Sequence, residues 1–198
     1  MSTMKNCLIF LTVISFIALS IAQDQCHPPP NQKNPKECCN VPTVMPSRDQ
    51  FITCIQKFPP PPPPAPGSPP PAPGTPPPGA NCIAECVLAQ LGMVSNGAIS
   101  KDAATATLVA ALGSSAEWQA LAKTTVDACY SKVSSLLTQK DSSGCNAGAE
   151  PFMECLPTTM FKNCPTSSWA AIAECEQQKA HLAKGCPIMS LMGPPHLM

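Results

Sequence analysis

The sequence predicts an all-α protein whose helices are cross-linked by disulfide bonds. Apolar residues recur at helical spacing along most of the chain, and no segment shows the alternation of a β-strand. The chain of 198 residues contains 13 cysteines, of which twelve follow a secretion signal. An even number in an oxidising compartment indicates six disulfides. We therefore expect a compact fold of about six to eight helices.

The first 22 residues are predicted to form a signal peptide. An apolar segment over 8–17 follows a short basic region, and Ser20-Ile21-Ala22 provides small residues before a cleavage site. The apolar segment is shorter than the roughly 18 to 20 residues that a membrane span requires. We expect cleavage, a mature chain that begins at Gln23, and a secreted, extracellular protein.

The composition excludes several classes of function. Acidic and basic residues number twelve each, and the basic residues form no run, so nucleic acid is a poor partner. No Cys-x-x-Cys pair occurs and no two of the three histidines have ligand spacing, so we predict no metal and no cofactor. No Gly-x-Ser-x-Gly motif or other catalytic arrangement is present, so we do not expect an enzyme.

The mature chain, residues 23–198, is predicted to be a single domain with five parts. These are an N-terminal arm over 23–46, a first helix over 47–58, a proline-rich loop over 59–79, a core over 80–164 and a C-terminal extension over 165–198. The arm contains several prolines and is expected to be irregular. Its adjacent Cys38 and Cys39 are expected to bond to two different places, because a bond between neighbours is strained.

The first helix and the loop after it differ sharply in composition. Ser47 and Gln50 form a capping box that opens the helix, and Cys54 lies on its apolar face. Fourteen of the 21 residues over 59–79 are proline, which favours extended polyproline II structure. Two interpretations stay open: a solvated surface loop, or a docking site for another protein.

Four helices are predicted in the core and one in the extension. The core helices cover about 81–92, 100–112, 114–139 and 147–162, and the last helix runs from 166 to about 182. Ser100 is the expected cap of the second, and Ser114 with Glu117 the capping box of the third. Cys82 and Cys86 lie one turn apart on the first of these helices, so each needs a distant partner. Asn96-Gly97 and residues 141–144 are predicted turns.

The cysteine spacing resembles that of the insect odorant-binding proteins, in particular their Plus-C subclass. From Cys82 onward the gaps between successive cysteines are 3, 42, 15, 9 and 8 residues, and Pro165 directly follows Cys164. Further cysteines lie towards both ends, as in that subclass. The resemblance covers most of the mature chain.

The resemblance implies a disulfide pattern in which the first core cysteine pairs with the third, the second with the fifth and the fourth with the sixth. Carried over, it implies the pairs Cys54–Cys86, Cys82–Cys155 and Cys129–Cys164. Six cysteines would form three further bonds whose pairing stays open, with at least one bond joining the arm to the extension. These six are Cys26, Cys38, Cys39, Cys145, Cys175 and Cys186.

The resemblance implies a secreted carrier of odorants or other semiochemicals. Disulfides stabilise a fold by restricting the unfolded chain, so an internal apolar cavity can survive in it. The candidate lining is apolar apart from one tyrosine hydroxyl and rich in methionine, which adapts to different ligands. It comprises Leu88, Leu91, Met93, Leu108, Leu112, Trp118, Leu121, Val126, Tyr130, Val133, Phe152, Met153, Leu156, Met160 and Phe161.

The expected partner is therefore a small hydrophobic ligand, bound by a monomer or homodimer in sensory lymph or another secretion. Contact with a membrane odorant receptor is a candidate second interaction. The C-terminal tail could close the cavity through Ile188, Leu191 and Met192. The alternative is an extracellular interaction protein that uses the proline-rich loop and has no ligand cavity.

Overall fold

A computed structural model describes residues 26, 28–29, 33–42, 46–60 and 77–191. The predicted signal peptide, most of the predicted proline-rich loop and Met192 lie outside the described residues, so these parts of the sequence analysis stay predictions. Among the described residues, no helix combines the length and apolar character that crossing a bilayer requires.

The described residues form seven α-helices, two short strands and two 3₁₀ turns, which confirms the expected helical fold class. In chain order the elements are α1 (Pro35–Cys38), α2 (Arg48–Lys57), α3 (Ala80–Gln90), β1 (Val94–Ser95), β2 (Ala98–Ile99), α4 (Lys101–Ala111), α5 (Ala116–Val133), α6 (Ala149–Lys162), a 3₁₀ turn (Thr166–Ser168), α7 (Ala173–Ala183) and a second 3₁₀ turn (Ile188–Leu191).

Helix α6 packs against both α3 and α5. Helix α5 also packs against α4, and α3 also packs against α2. Helix α7 contacts both α6 and the short α1 of the arm. Burial of the apolar faces of α3, α4, α5 and α6 against one another forms a single hydrophobic core.

Two of the three predicted helix caps are present. The Ser47 hydroxyl accepts from the Gln50 N–H while the Gln50 side chain accepts from the Ser47 N–H, so the capping box is complete. The Ser100 hydroxyl accepts from the Ala103 N–H at 3.2 Å. The box predicted at Ser114 and Glu117 is wrong, because the turn through Gly113 runs one residue longer and α5 begins after Ser115.

The structure also corrects two predicted helix boundaries and the expectation that no segment forms a β-strand. Helix α5 ends at Val133, because residues 134–139 turn back through short backbone bonds such as Leu136 N to Val133 O (2.8 Å). The last helix begins at Ala173, because Trp169 pairs with Cys39 in an antiparallel β-bridge before it. The predicted Asn96-Gly97 turn joins β1 and β2, two strands that apolar alternation did not reveal.

The disulfides Cys54–Cys86, Cys82–Cys145 and Cys129–Cys155 join α2, α3, α5 and α6. The first pair agrees with the resemblance, whereas the implied pairs Cys82–Cys155 and Cys129–Cys164 are wrong. The family's pairing rule still fits if Cys145 and Cys155 are the fifth and sixth core cysteines. Cys155 faces Cys129 because α5 and α6 pack side by side, and Cys145 lies in the loop beside the start of α3.

The other three disulfides join the N-terminal arm to the C-terminal part of the chain. They are Cys26–Cys186, Cys38–Cys175 and Cys39–Cys164. The arm is therefore bonded to the extension, as expected, and the adjacent Cys38 and Cys39 do bond to two different places. Ala170 N–H also donates to Cys38 O at 2.8 Å, which adds a backbone contact to these covalent ones.

A polar cluster around Asn81 fixes the loop between α5 and α6. Asn81 Nδ2 donates to Asp141 Oδ2 at 3.0 Å, and the Glu150 N–H donates to Asn81 Oδ1 at 3.2 Å. Asn81 thus satisfies a free N–H at the start of α6, although it belongs to α3. The Asn146 N–H donates to Glu85 Oε2 at 2.8 Å, which gives the same loop a second attachment to α3.

Two carboxyl groups in this cluster have shifted pKa values. Burial favours a higher pKa for Asp141, but hydrogen bonds from Asn81 and from the Cys145 and Ser143 N–H groups outweigh it and lower the pKa. Burial, with a smaller contribution from Glu154, raises the pKa of Glu150. Asp141 also lies within 4.8 Å of the sulfurs of Cys82 and Cys145, but these sulfurs form a disulfide and leave no thiolate for a metal.

We expect Asn81→Ala to lower the free energy of unfolding by about 2 kcal/mol, because it removes a hydrogen bond to a charged group and leaves the Glu150 N–H without a partner. Urea unfolding followed by circular dichroism measures this loss. Asn163→Ala is the control: this exposed amide bonds only the Thr159 carbonyl of its own helix, and its loss should be within about 0.5 kcal/mol. Equal losses in the two variants would contradict the role of Asn81.

Candidate ligand-binding site

The fifteen candidate lining residues lie in one hydrophobic cluster. Eleven of them are buried within the core: Leu88, Met93, Leu108, Leu112, Trp118, Val126, Val133, Phe152, Leu156, Met160 and Phe161. The other four are half-buried and pack against it: Leu91, Leu121, Tyr130 and Met153. The structure therefore brings together residues that are spread over 74 positions of sequence, from 88 to 161.

Helices α3, α4, α5 and α6 position most of these side chains by helical periodicity, and Met93 is positioned by a turn. Gly92 adopts a left-handed conformation with φ of +78° at the end of α3. The Met93 N–H then donates to Leu88 O at 2.9 Å. This bond closes the helix end and returns the chain towards the core, where the Met93 side chain is buried.

Aromatic contacts at two places support the cluster. Tyr130 of α5 and Phe152 of α6 meet edge to face, with ring centroids 6.4 Å apart. Phe161 meets Trp169 in the same geometry at 5.4 Å, and Lys179 lies 4.9 Å from the Trp169 ring centroid. Such contacts add to the stabilisation from burial and fix the orientation of the rings.

The C-terminal 3₁₀ turn packs against α6 beside this cluster. Leu191 is buried in the core and Ile188 is half-buried against it, while Met192 lies outside the described residues. His181 Nε2 lies 2.9 Å from Ser190 Oγ, which itself donates to Pro187 O at 2.6 Å. Because the hydroxyl proton is used in this way, the neutral His181 ring donates from Nε2 and ties α7 to the turn.

Sequence reasoning missed the polar groups inside the core. Among the described residues, the buried polar side chains are Asn81, Thr125, Asn146, Gln178 and His181. Thr125 is fully buried because it lies one turn before Cys129 and two turns after Trp118 on α5, a spacing that could have indicated its burial. The Thr125 hydroxyl has no hydrogen-bond partner, and neither does the buried hydroxyl of Thr158 on α6.

A groove on the outer surface between α4 and α5 offers a different environment. Its volume is about 520 Å³, and its lining includes two lysines and two aspartates. Lys101 and Asp127 form an ion pair there at 2.7 Å, and a hydrogen bond to Asp127 raises the pKa of Lys101. Such a charged surface does not suit an apolar ligand, so the buried cluster is the better candidate site.

Comparison with known proteins identifies the family of this fold. The model of the AgamOBP47-like family matches residues 75–181, which is more than half of the chain. The chain belongs to the AgamOBP47-like family. The resemblance to insect odorant-binding proteins is thereby confirmed, and six disulfides are consistent with the Plus-C subclass.

Two relatives from Anopheles gambiae match most of the chain. Odorant-binding protein 47 is 27% identical over 197 residues, which cover 92% of this chain and 83% of that protein. General odorant-binding protein 67 is 27% identical over 158 residues, which cover 78% of this chain and 75% of that protein. The AgamOBP47-like match includes all fifteen residues of the cluster.

We expect acidification to destabilise the fold through His181. Burial, with a smaller contribution from Lys184, lowers the pKa of His181 below 6.5, so the unfolded chain binds a proton at a higher pH than the folded one. The free energy of unfolding should therefore fall as the pH decreases below about 6.5, the pKa of a free histidine.

Urea unfolding of wild type and His181→Gln at a series of pH values between about 7.5 and 5 measures this contribution, taking about 6.5 as the pKa of histidine in the unfolded chain. The difference in the free energy of unfolding between the two proteins should shrink on acidification, because the glutamine at position 181 does not titrate. A difference that stays constant with pH would contradict the assignment.

Proposed function

We propose that this protein is a secreted carrier that binds small hydrophobic molecules, such as odorants or other semiochemicals, in an internal apolar site. One observation carries the proposal: the fifteen candidate side chains gather in one cluster between α3, α4, α5 and α6. Membership of the AgamOBP47-like family, with relatives named as odorant-binding proteins, supports a carrier rather than an enzyme.

The disulfide frame supports this proposal physically. Removing tight packing from a core to admit a ligand costs stability. A disulfide typically stabilises a fold by about 2–4 kcal/mol, and four of the six cysteines of the three core disulfides lie on α3, α5 and α6, which carry much of the cluster. The frame can therefore hold the helices in place while side chains such as Met93 and Met160 rearrange around a ligand.

Secretion, receptor contact and oligomeric state belong to the same proposal. The predicted signal peptide supports action in sensory lymph or another secretion. Contact with a membrane odorant receptor, and the choice between monomer and homodimer, rest on the resemblance alone. The alternative is an interaction protein, and the fourteen prolines within residues 59–79 favour it.

We expect a fluorescent apolar probe such as N-phenyl-naphthylamine to bind the mature protein and to be displaced by hydrophobic ligands at micromolar concentration. Trp118 is one of the fifteen candidate residues and Trp169 is not, so the variant Trp169→Phe leaves one tryptophan that reports on the site. Ligand should shift or quench the Trp118 emission of this variant in parallel with probe displacement. No response across a broad panel of apolar ligands would refute the carrier function.

Deletion of residues 61–76 separates the two functions. If the protein is a carrier, the deletion should leave the dissociation constant of the probe within about twofold, because the cluster lies entirely within residues 88–161. Isothermal titration or probe fluorescence measures it. Loss of partner capture, together with absence of probe binding in both proteins, would favour the interaction protein instead.

A further inference from the structure

We propose that the hydroxyl groups of Thr125 and Thr158 form a polar anchor for the oxygen atom of a bound ligand. The ligand class is an apolar molecule with one hydrogen-bonding oxygen, such as an alcohol or an aldehyde. This inference rests on the proposed carrier function and specifies which ligands the site prefers.

The first observation is that both hydroxyls are buried and have no hydrogen-bond partner. Threonine in a helix can bond the carbonyl one turn before it, and other helical threonines of this chain do so. Thr53, Thr105 and Thr124 donate to Asp49 O, Lys101 O and Ala120 O at 2.8, 2.8 and 3.3 Å. Thr125 and Thr158 therefore differ from threonines whose hydroxyls serve their own helix.

The second observation is that the antiparallel packing of α5 and α6 places these two threonines at the same level along the helix pair. The two helices are antiparallel, so in the contacts between them and through their connecting loop the residue number rises on the α5 side as it falls on the α6 side. These contacts join Cys129 with Cys155, Tyr130 with Phe152, and Leu137 with Asn146. Thr125 precedes Cys129 by one turn and Thr158 follows Cys155 by about one turn, so the same antiparallel register brings them to one level of the seam.

The third observation is the surroundings of the pair. Trp118 and Val126 on α5 and Phe161 on α6 belong to the candidate lining, and they lie near the two threonines on the same helices. A buried hydroxyl without a partner destabilises a fold, because no hydrogen bond replaces those that it made to water. Two of them in one apolar seam would be satisfied by a single ligand oxygen, because each hydroxyl can donate and accept.

The third unpartnered buried atom of the described residues does not belong to this pair. It is Gln178 Oε1 on α7, and Gln178 Nε2 donates to Lys33 O of the arm at 2.6 Å. That side chain joins α7 to the arm and has a structural role. The anchor is therefore assigned to the two threonines alone.

The test compares decanol and decane as competitors of the fluorescent probe in wild type, Thr125→Val and Thr158→Val. Valine keeps the branched shape and removes only the hydroxyl. We expect each substitution to weaken decanol binding about fivefold, the effect of one hydrogen bond, and to leave decane binding unchanged. Thr124→Val is the matched control: its hydroxyl bonds the backbone of its own helix on the exposed side, and it should bind both competitors like wild type.

Thermal unfolding without ligand provides the second readout. Removal of an unpartnered hydroxyl should leave the Tm of Thr125→Val and Thr158→Val at or above that of wild type. A lower Tm would show that the hydroxyls already have a structural partner, such as a buried water, and would overturn the anchor. Equal effects on decanol and decane binding would also overturn it. If wild type binds the competitors and the variants keep its preference between decanol and decane, only the anchor fails. If wild type binds neither competitor, the carrier function fails as well.

Discussion

Helix α3 holds the constraint on which the rest of the structure depends. Its cysteines lie one turn apart and bond in two directions, Cys82 to the loop before α6 and Cys86 to α2. Asn81, next to Cys82, binds the same loop and the first turn of α6. A short rigid helix thus sets the positions of the element before it and the element that follows α5. The Cys129–Cys155 disulfide then joins α5 directly to α6.

Local interactions were largely predictable from the sequence, whereas most pairings between distant segments were not. The capping box at Ser47 and the cap at Ser100 need only residues three positions apart, and both are present. The partners of Cys82 and Cys129 depend on how α3, α5 and α6 pack, and the spacing of cysteines in the sequence does not determine this packing. Eight residues separate Cys155 from Cys164, and this gap suggested the fifth and sixth core cysteines. The chain instead uses Cys164 to hold the arm, and the core pair is Cys145 and Cys155.

The site shows the same division. Apolar residues at helical spacing were sufficient to predict that the fifteen candidate side chains lie together in the core, because burial follows periodicity when the neighbours are also apolar. The hydroxyls of Thr125 and Thr158 were not found, because the rule that polar residues face solvent ignores them. Their burial has a physical meaning only once the register of α5 against α6 is known. Polar atoms inside an apolar core are found from the packing of the helices and not from the composition of the sequence.

The order of the disulfides along the chain has a consequence for proteolysis. Cys26, Cys38, Cys39 and Cys54 all precede residue 61, and their partners Cys186, Cys175, Cys164 and Cys86 all follow residue 76. A protease that cuts once between those two positions divides the polypeptide into two pieces without separating them. Four covalent bonds still join the pieces, and both helices that carry the threonine pair remain in the larger one. The most proline-rich part of the chain can therefore be nicked while the cross-linked helices stay assembled.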